Sequence, residues 1–417
     1  MDINKRNYFF MFLDPILFVN AMSLISINAV IPNFLNDLGA SAYQISIAIA
    51  LVSIGTFISQ PLFAQAAMNQ PNKSASFARL LFFQRLLFLA YVLSIPLTVR
   101  YNPGLAIVLF LLFWGIFNFF VGCYSPFYMS ILYKVIPGNQ RGRLIGYADS
   151  AGYALALGSA VLIGIILENM SFPYNYTCIF AIGISLLNIN AWGFSMIREE
   201  PDKVEKKPID YLRYIRQVPH ALKARKEFAK TVIGNGFMVI SNVALSFYAL
   251  IAIRNFGAGP EQVAIFTGIG VIVNILASTV YGVIGDRFGH IYVLITASIF
   301  SAAAAIIVYS INALFAVNIG FALSSLSACG YRISSGINVM DHSPKGEIPL
   351  YISVNAMITL VASSLVTLMM GAIIDIFSFT PLYLITGICG AASFFIFYRI
   401  CKEDRKRELI TDNISAK

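Results

Sequence analysis

With 417 residues, 58% of them hydrophobic and 12% charged, the chain has about half the charged share of an ordinary soluble domain. That excludes a water-soluble globular protein, and the formal net charge of +9 is no argument for nucleic-acid binding, because the basic residues collect in alternate loops. The five cysteines are odd in number and match no metal-site spacing; with no nucleophile elbow, phosphate-binding loop or zinc motif, neither an enzyme nor a cofactor is expected.

A stretch of about 20 apolar residues crosses some 30 Å of hydrocarbon. The first to qualify is Pro15–Phe34. The Asp14-Pro15 pair ahead of it reads as a helix start, Asp as N-cap and Pro at the first helical position, or as a proton site on the first membrane helix. The run is too long for a cleavable signal. Further stretches follow at roughly Ile45–Phe63, Phe77–Leu97, Gly104–Phe127, Leu144–Leu167 and Cys178–Met196. A second set covers Val232–Ile253, Val263–Ile284, Tyr292–Tyr309, Leu314–Ser334, Ile352–Ile374 and Leu382–Tyr398, about twelve in all.

Loop charge sets the orientation. One side carries Lys5, Arg6, Lys73, Arg79, Lys134, Arg141 and Arg143, the basic segment from Arg198 to Lys230, Arg287, Lys345 and the tail; the other carries only Arg100 and Arg254. The positive-inside rule makes both termini cytoplasmic in a plasma (inner) membrane, with the inner face drawn to anionic lipid. The domains expected are a six-helix bundle over 1–197, a linker over 198–230, a second six-helix bundle over 231–400 and a tail over 401–417. Within the linker, Tyr211, Leu212, Ile215 and Val218 share one face, as in a helix lying in the membrane surface.

The halves repeat. Gly164 to Phe172 closes the fifth span and Gly371 to Phe379 the eleventh, with glycine, acid and Ser-Phe in register and a tyrosine (Tyr176, Tyr383) following each. Parallel six-span repeats are a transporter architecture with a site between the halves.

After the eighth span the chain reads Gly282-Val283-Ile284-Gly285-Asp286-Arg287-Phe288-Gly289. It resembles the G-x-x-x-D-R-x-G signature of the major facilitator superfamily. Pro32-Asn33-Phe34-Leu35-Asn36-Asp37-Leu38-Gly39-Ala40-Ser41, leading to Gln44, looks like the first outer loop of that superfamily's drug-exporter-like branch. The resemblance implies an all-α membrane protein with the major facilitator fold, about twelve helices in two six-helix bundles, functional as a monomer. It also implies a cytoplasmic latch in which Gly282, Asp286, Arg287 and Gly289 meet the start of the fifth span near Arg141. On the residues alone, a tight positive-inside turn remains the other reading. Gln65 to Lys73, the matching place in the first half, lacks the Asp-Arg-x-Gly core.

Polar residues within spans form stripes: Asn20 with Ser23 on the first, Trp114, Asn118 and Ser125 on the fourth, Asn235, Asn242 and Ser246 on the seventh, and Asn318, Ser325 and Arg332 on the tenth. Each serves either as interhelical glue or as cavity lining. In the family that this chain resembles, spans 1, 4, 7 and 10 line the cavity. Buried charge is confined to Arg85, Asp149 and Arg332. Asp149 is the proton-coupling candidate, expected to face Arg332 across the halves; the alternative is a permanent ion pair with Arg85 or Arg332. Gly146, Gly152, Gly158 and Gly164 imply close helix packing, and the phenylalanines around Trp114 imply lipid contact, packing or an apolar wall for a lipophilic substrate.

The function expected is secondary transport of a small organic molecule, coupled to H+, with export of an amphipathic compound ahead of uptake of a small metabolite. A non-transporting scaffold or sensor would need a larger soluble segment than this chain has.

Overall fold

In the computed structural model, residues 3–201, 222–223, 225–259, 261–343 and 348–415 are described, and all their regular structure is helical. The linker helix expected over 209–218 lies outside them, as do the side chains of Ser125, Arg141 and Asp286. The first half contains α1 (Ile3–Leu24), α2 (Val30–Asp37), α3 (Ala42–Met68), α4 (Lys73–Tyr101), α5 (Pro103–Val121), α6 (Tyr124–Val135), α7 (Gly138–Asn169) and α8 (Tyr174–Met196). The second contains α9 (Lys226–Ser241), a 3-10 turn (Asn242–Ser246), α10 (Tyr248–Phe256), α11 (Glu261–Phe288), α12 (His290–Ser310), α13 (Leu314–Asp341), α14 (Ile348–Phe377) and α15 (Thr380–Ser415). Twelve helical stretches among the described residues are long and apolar enough to cross a membrane.

The first span departs from expectation. It is α1, which begins at Ile3 and holds Asp14 and Pro15 in its interior, so Asp14 is no N-cap. A proline inside a helix removes one amide donor and crowds the carbonyl four residues earlier. Packing offsets that cost: Met11, one turn before Pro15, is fully buried in a core with Phe77, Phe127 and Phe194. Helix is lost instead after Leu24, and α2 resumes at Val30.

Two other spans are interrupted. The fourth breaks at Gly122-Cys123 between α5 and α6, and the seventh passes through the 3-10 turn between α9 and α10. The tenth, α13, is continuous. Breaks within a span leave backbone groups without intrahelical partners, which membrane proteins tolerate where protein or a water-filled cavity takes them up.

The outer-loop motif has a local explanation. Gly39 has φ +83°, a conformation that side chains resist, and ends the α2 turn. Ser41 and Gln44 then form a capping box on α3: the Ser41 amide donates to Gln44 Oε1 (3.0 Å) and the Gln44 amide to Ser41 Oγ (3.2 Å). Gly289 likewise has φ +104° and opens α12, so the last glycine of the Asp-Arg-x-Gly sequence is set by the turn itself.

By packing the chain falls into two compact units, Met1–Asp210 with Ala249–Ile272, and Tyr211–Tyr248 with Val273–Lys417. In the first, α3 lies directly on α5: a Cβ on Gly55 would come within 2.7 Å of the Asn118 carbonyl carbon and 2.8 Å of the Phe119 nitrogen. Backbone cannot swing aside as a side chain can. Gly55→Ala is therefore expected to destabilise by about 1–3 kcal/mol. A melting temperature within a degree of the parent would show that the helices can part at no cost. The fifth-span glycines behave unequally: Gly152 packs on Pro15 and Ile16 and Gly164 on Ala264, whereas a Cβ on Gly158 would meet open space.

Charged residues fasten the basic ends of the helices. In the first unit the Glu199 side chain, fully buried, accepts the Ser74 amide (2.5 Å) and pairs with Lys134 (3.2 Å). Asn7 exchanges two hydrogen bonds with the Arg198 backbone. In the second unit three consecutive residues of α15 reach three helices. Glu403 pairs with Lys230 (2.6 Å), Asp404 with His342 (3.4 Å), and the Arg405 guanidinium lies 5.5 Å from the Tyr292 ring centroid.

The His342 pair has a pH signature. Burial alone lowers the imidazole pKa, but the Asp404 carboxylate, the Asn338 carbonyl and Asp341 outweigh it and the net shift is upward. Stability from this pair is then fully present below the ordinary histidine value of about 6.5 and is lost as pH rises through the higher folded value. Asp404 is 37% exposed, so screening limits the pair to about 0.5–1 kcal/mol. His342→Gln should lower the melting temperature at pH 6 and leave it nearly unchanged at pH 9. An equal loss at both values would mean that the ring acts by packing alone.

Candidate functional site: a buried polar network in the first unit

Four helices of the first unit, α1, α4, α6 and α8, bring one polar network into an apolar interior. Asp14 on α1 is 3% exposed, Arg85 on α4 2% and Asn190 on α8 2%. The Tyr124 hydroxyl, from the first residue of α6, lies 2.7 and 2.5 Å from the two Asp14 carboxylate oxygens and donates to them. Asn190 Nδ2 donates to Asp14 Oδ1 (2.5 Å) and to the Asp14 carbonyl (3.2 Å). Its own Oδ1 accepts from Arg85 Nη2 (2.9 Å), and Arg85 Nη1 donates to the Leu187 carbonyl. Asn190 thus couples a carboxylate to a guanidinium, presenting one end to each.

Asp149, half-buried on α7, is near enough for its charge to act on both Asp14 and Tyr128. The Tyr128 ring stacks on Tyr124 at 5.4 Å with an interplanar angle of 14°. Arg85, whose charge acts on Asp14 and Tyr124, supplies the positive member. Two acids, one base and two phenols therefore share one region of the first unit. This arrangement can hold a proton away from bulk water while a fixed positive charge balances the carboxylate left behind.

Other expected residues lie elsewhere. Asn20 donates to the Gly152 carbonyl (3.2 Å) and accepts from Ser159 (3.1 Å), which ties α1 to α7. Trp114, 1% exposed, donates from its indole to the Ala48 carbonyl (2.9 Å) and stacks on Phe117 at 5.4 Å. Asn118 donates to the Trp114 carbonyl (2.8 Å). Phe88 of α4 and Phe110 and Phe117 of the fourth span pack around the indole in the interior of this unit, while Phe113, Phe119 and Phe120 are half-buried.

In the second unit, Asn235 donates to Asn355 (3.0 Å), Asn242 accepts from Ser327 (2.8 Å), and Ser325 is buried. Arg332 donates to Asn274 (3.2 Å) and lies 3.6 Å from Cys329 Sγ. Asn318 and Ser246 are half-buried. Asn235, Asn242 and Arg332 thus each bond to a neighbouring helix. Of the expected latch, Arg287 lies over the Phe288 ring at 5.4 Å, and Gly282 has open space beside it.

Sequence reasoning missed Tyr124 and Asn190 as site residues and read Asp14 first as a cap. One signal could have found them: with α1 begun near residue 3, Asn7, Asp14 and Asn20 make a polar stripe, and Arg85 within a span needs a partner.

Outside the membrane spans, Asp37 closes a smaller cluster at the end of α2. Burial pushes its carboxyl pKa up, against hydrogen bonds from Tyr176 (2.9 Å) and Asn36 that lower it.

No curated protein matches the sequence. Among solved structures, a mutant of the nucleoside transporter NupG superposes with a TM-score of 0.71 at 12% identity, covering 96% of this chain and 100% of that one. The D-xylose-proton symporter gives 0.71 at 16%, with 95% and 97% covered. A bacterial homologue of the iron transporter ferroportin, in its inward-facing state, gives 0.67 at 10%, with 95% and 98% covered. The Major Facilitator Superfamily profile matches residues 13–253 and again 231–413. With twelve candidate spans and helical structure throughout the described residues, and a family match across nearly its whole length, the chain belongs to the major facilitator superfamily and is an integral membrane transporter of the secondary type.

Proposed function

We propose that the protein is a proton-coupled antiporter that exports a small amphipathic organic compound across the plasma (inner) membrane by alternating access. It works as a monomer with both termini cytoplasmic, and residues 1–197 and 231–400 are the two moving halves. The observation that carries proton coupling is the meeting of Asp14 and Asp149 with Arg85, Tyr124 and Asn190 inside an apolar unit. Carboxylates are rare within spans and mark ion or proton pathways when they are there. The direction rests on the likeness of the first outer loop to exporters. Polar residues of spans 1, 7 and 10 are proposed to meet the substrate, and the Gly282–Gly289 loop to latch the closed cytoplasmic face with Arg141.

Proteoliposomes with an imposed pH gradient test the reading. Uptake of a lipophilic cation into everted-orientation liposomes, driven by an acidic lumen and collapsed by a protonophore, is expected. Flux of a metabolite in the same direction as the proton would instead assign uptake. Substrate flux indifferent to the protonophore would remove the proton from the mechanism.

A further inference from the structure

Where α1 begins, α6 ends and α7 begins, the first unit holds a half-open cavity of about 620 Å³. Asn4, Lys5 and Tyr8 of α1 line one side, and Tyr133, Lys134 and Gln140 the other. It shares no lining residue with the Asp14 network. We propose that this cavity binds the phosphodiester headgroup of an anionic phospholipid.

Charge is the first argument. Lys134 lines the cavity and pairs at 3.2 Å with Glu199, whose side chain is fully buried. Lys5, on a different helix and exposed, adds a second ammonium, so that among the described lining residues and Glu199 one positive charge is in excess. The 32-residue α7 adds the partial positive charge of its N-terminus from the side where Gln140 stands. One excess charge with a helix terminus suits a phosphodiester, which carries a single negative charge.

Size and position are the second argument. The cavity is many times the roughly 30 Å³ share of one water, so a bare phosphate would leave most of it unfilled. Headgroup and glycerol together fill more of it, against the apolar wall of Tyr8, Val135 and Ile136. Tyr133, at the last turn of an apolar span, is 65% exposed. That is where tyrosines are enriched at the membrane–water interface. The site is independent of substrate, direction and coupling ion.

The test is the thermal stability of the full-length protein in mild detergent, titrated with dioleoylphosphatidylglycerol, dioleoylphosphatidylcholine or inorganic phosphate. A ligand of the native state raises the melting temperature by mass action. Phosphatidylglycerol should raise it more than phosphatidylcholine, and phosphate at the same concentration should have no effect. Lys5→Gln should weaken the apparent affinity for phosphatidylglycerol about fivefold, one lysine's share of attraction to an anionic lipid surface, while Lys5→Arg should retain it. Because Lys5 is exposed, folding is not at stake in either variant. An unchanged titration in Lys5→Gln would overturn the assignment, and so would equal shifts with phosphatidylcholine. A full shift with inorganic phosphate alone would make the cavity a free-anion site.

Discussion

Replacing Arg85 by Met should cost the folded state about 3–5 kcal/mol, enough to lose most of the protein at the detergent-extraction step. The side chain is 2% exposed and its fork is spent on two partners, the Leu187 carbonyl and Asn190 Oδ1. Removing one member of a buried charged set leaves the other uncompensated, and that is the expensive outcome. Asp14 would keep its hydrogen bonds from Tyr124 and Asn190 but lose the positive charge of Arg85 acting on it. The prediction therefore has a second part. Asp14→Asn, combined with Arg85→Met, should recover most of the loss, since an amide needs no countercharge. Fluorescence-detected size exclusion before and after heating reads both variants. If Arg85→Met alone matches the parent, the guanidinium is not what stabilises the network. If the double variant is no better than the single one, the coupling between the two charges is wrong.

The second network member with this logic is Asn190, whose amide faces Asp14 and whose carbonyl faces Arg85. Asn190→Leu is expected to behave like a weaker Arg85 variant, because backbone and tyrosine bonds to both charges persist. Asn190→Asp would bring a second carboxylate against Asp14 while facing Arg85 directly, so its stability should fall at high pH and recover at low pH.

Much of the architecture was legible in the chain, because in a bilayer hydropathy and length nearly dictate which segments cross. The twelve expected spans meet twelve helical stretches among the described residues, and the repeated motifs after the fifth and eleventh spans mark the ends of α7 and α14. Register within a span was less legible. Pro15 has a strong local preference for the first helical turn, and that preference hid the eleven helical residues ahead of Asp14; packing of Met11 into the core overrides it. The interruptions at Gly122-Cys123 and Asn242–Ser246 also escaped, since hydropathy runs unbroken through both. Single-residue roles were legible least of all. A stripe of Asn and Ser looks alike whether it lines water or bonds a neighbour, and partners such as Ala48 for Trp114 or Asn355 for Asn235 are distant in sequence. The outer-loop motif shows the same ambiguity from the other side, because a capping box and one left-handed glycine account for Gly39, Ser41 and Gln44 without any export chemistry.

Asp149→Asn should abolish proton-driven accumulation while leaving substrate exchange at equilibrium partly intact. Of the two acids, Asp14 is enclosed by Tyr124 and Asn190, whereas Asp149 is only half-buried, so Asp149 is the less enclosed of the two. A coupling group must load and release its proton from alternate sides, and an enclosed group cannot do so without first losing its partners. Asparagine mimics the protonated acid in shape and charge. It therefore leaves the carrier free to move between states but removes the requirement that a proton move with it. Asp14→Asn is the informative partner: it should impair stability and lower both exchange and accumulation, because it disturbs the set that includes Arg85. Exchange and accumulation measured in the same proteoliposomes separate the roles. Full accumulation in Asp149→Asn would transfer the coupling role to Asp14 or to a group outside this network. Loss of exchange together with accumulation would make Asp149 structural, the permanently paired alternative.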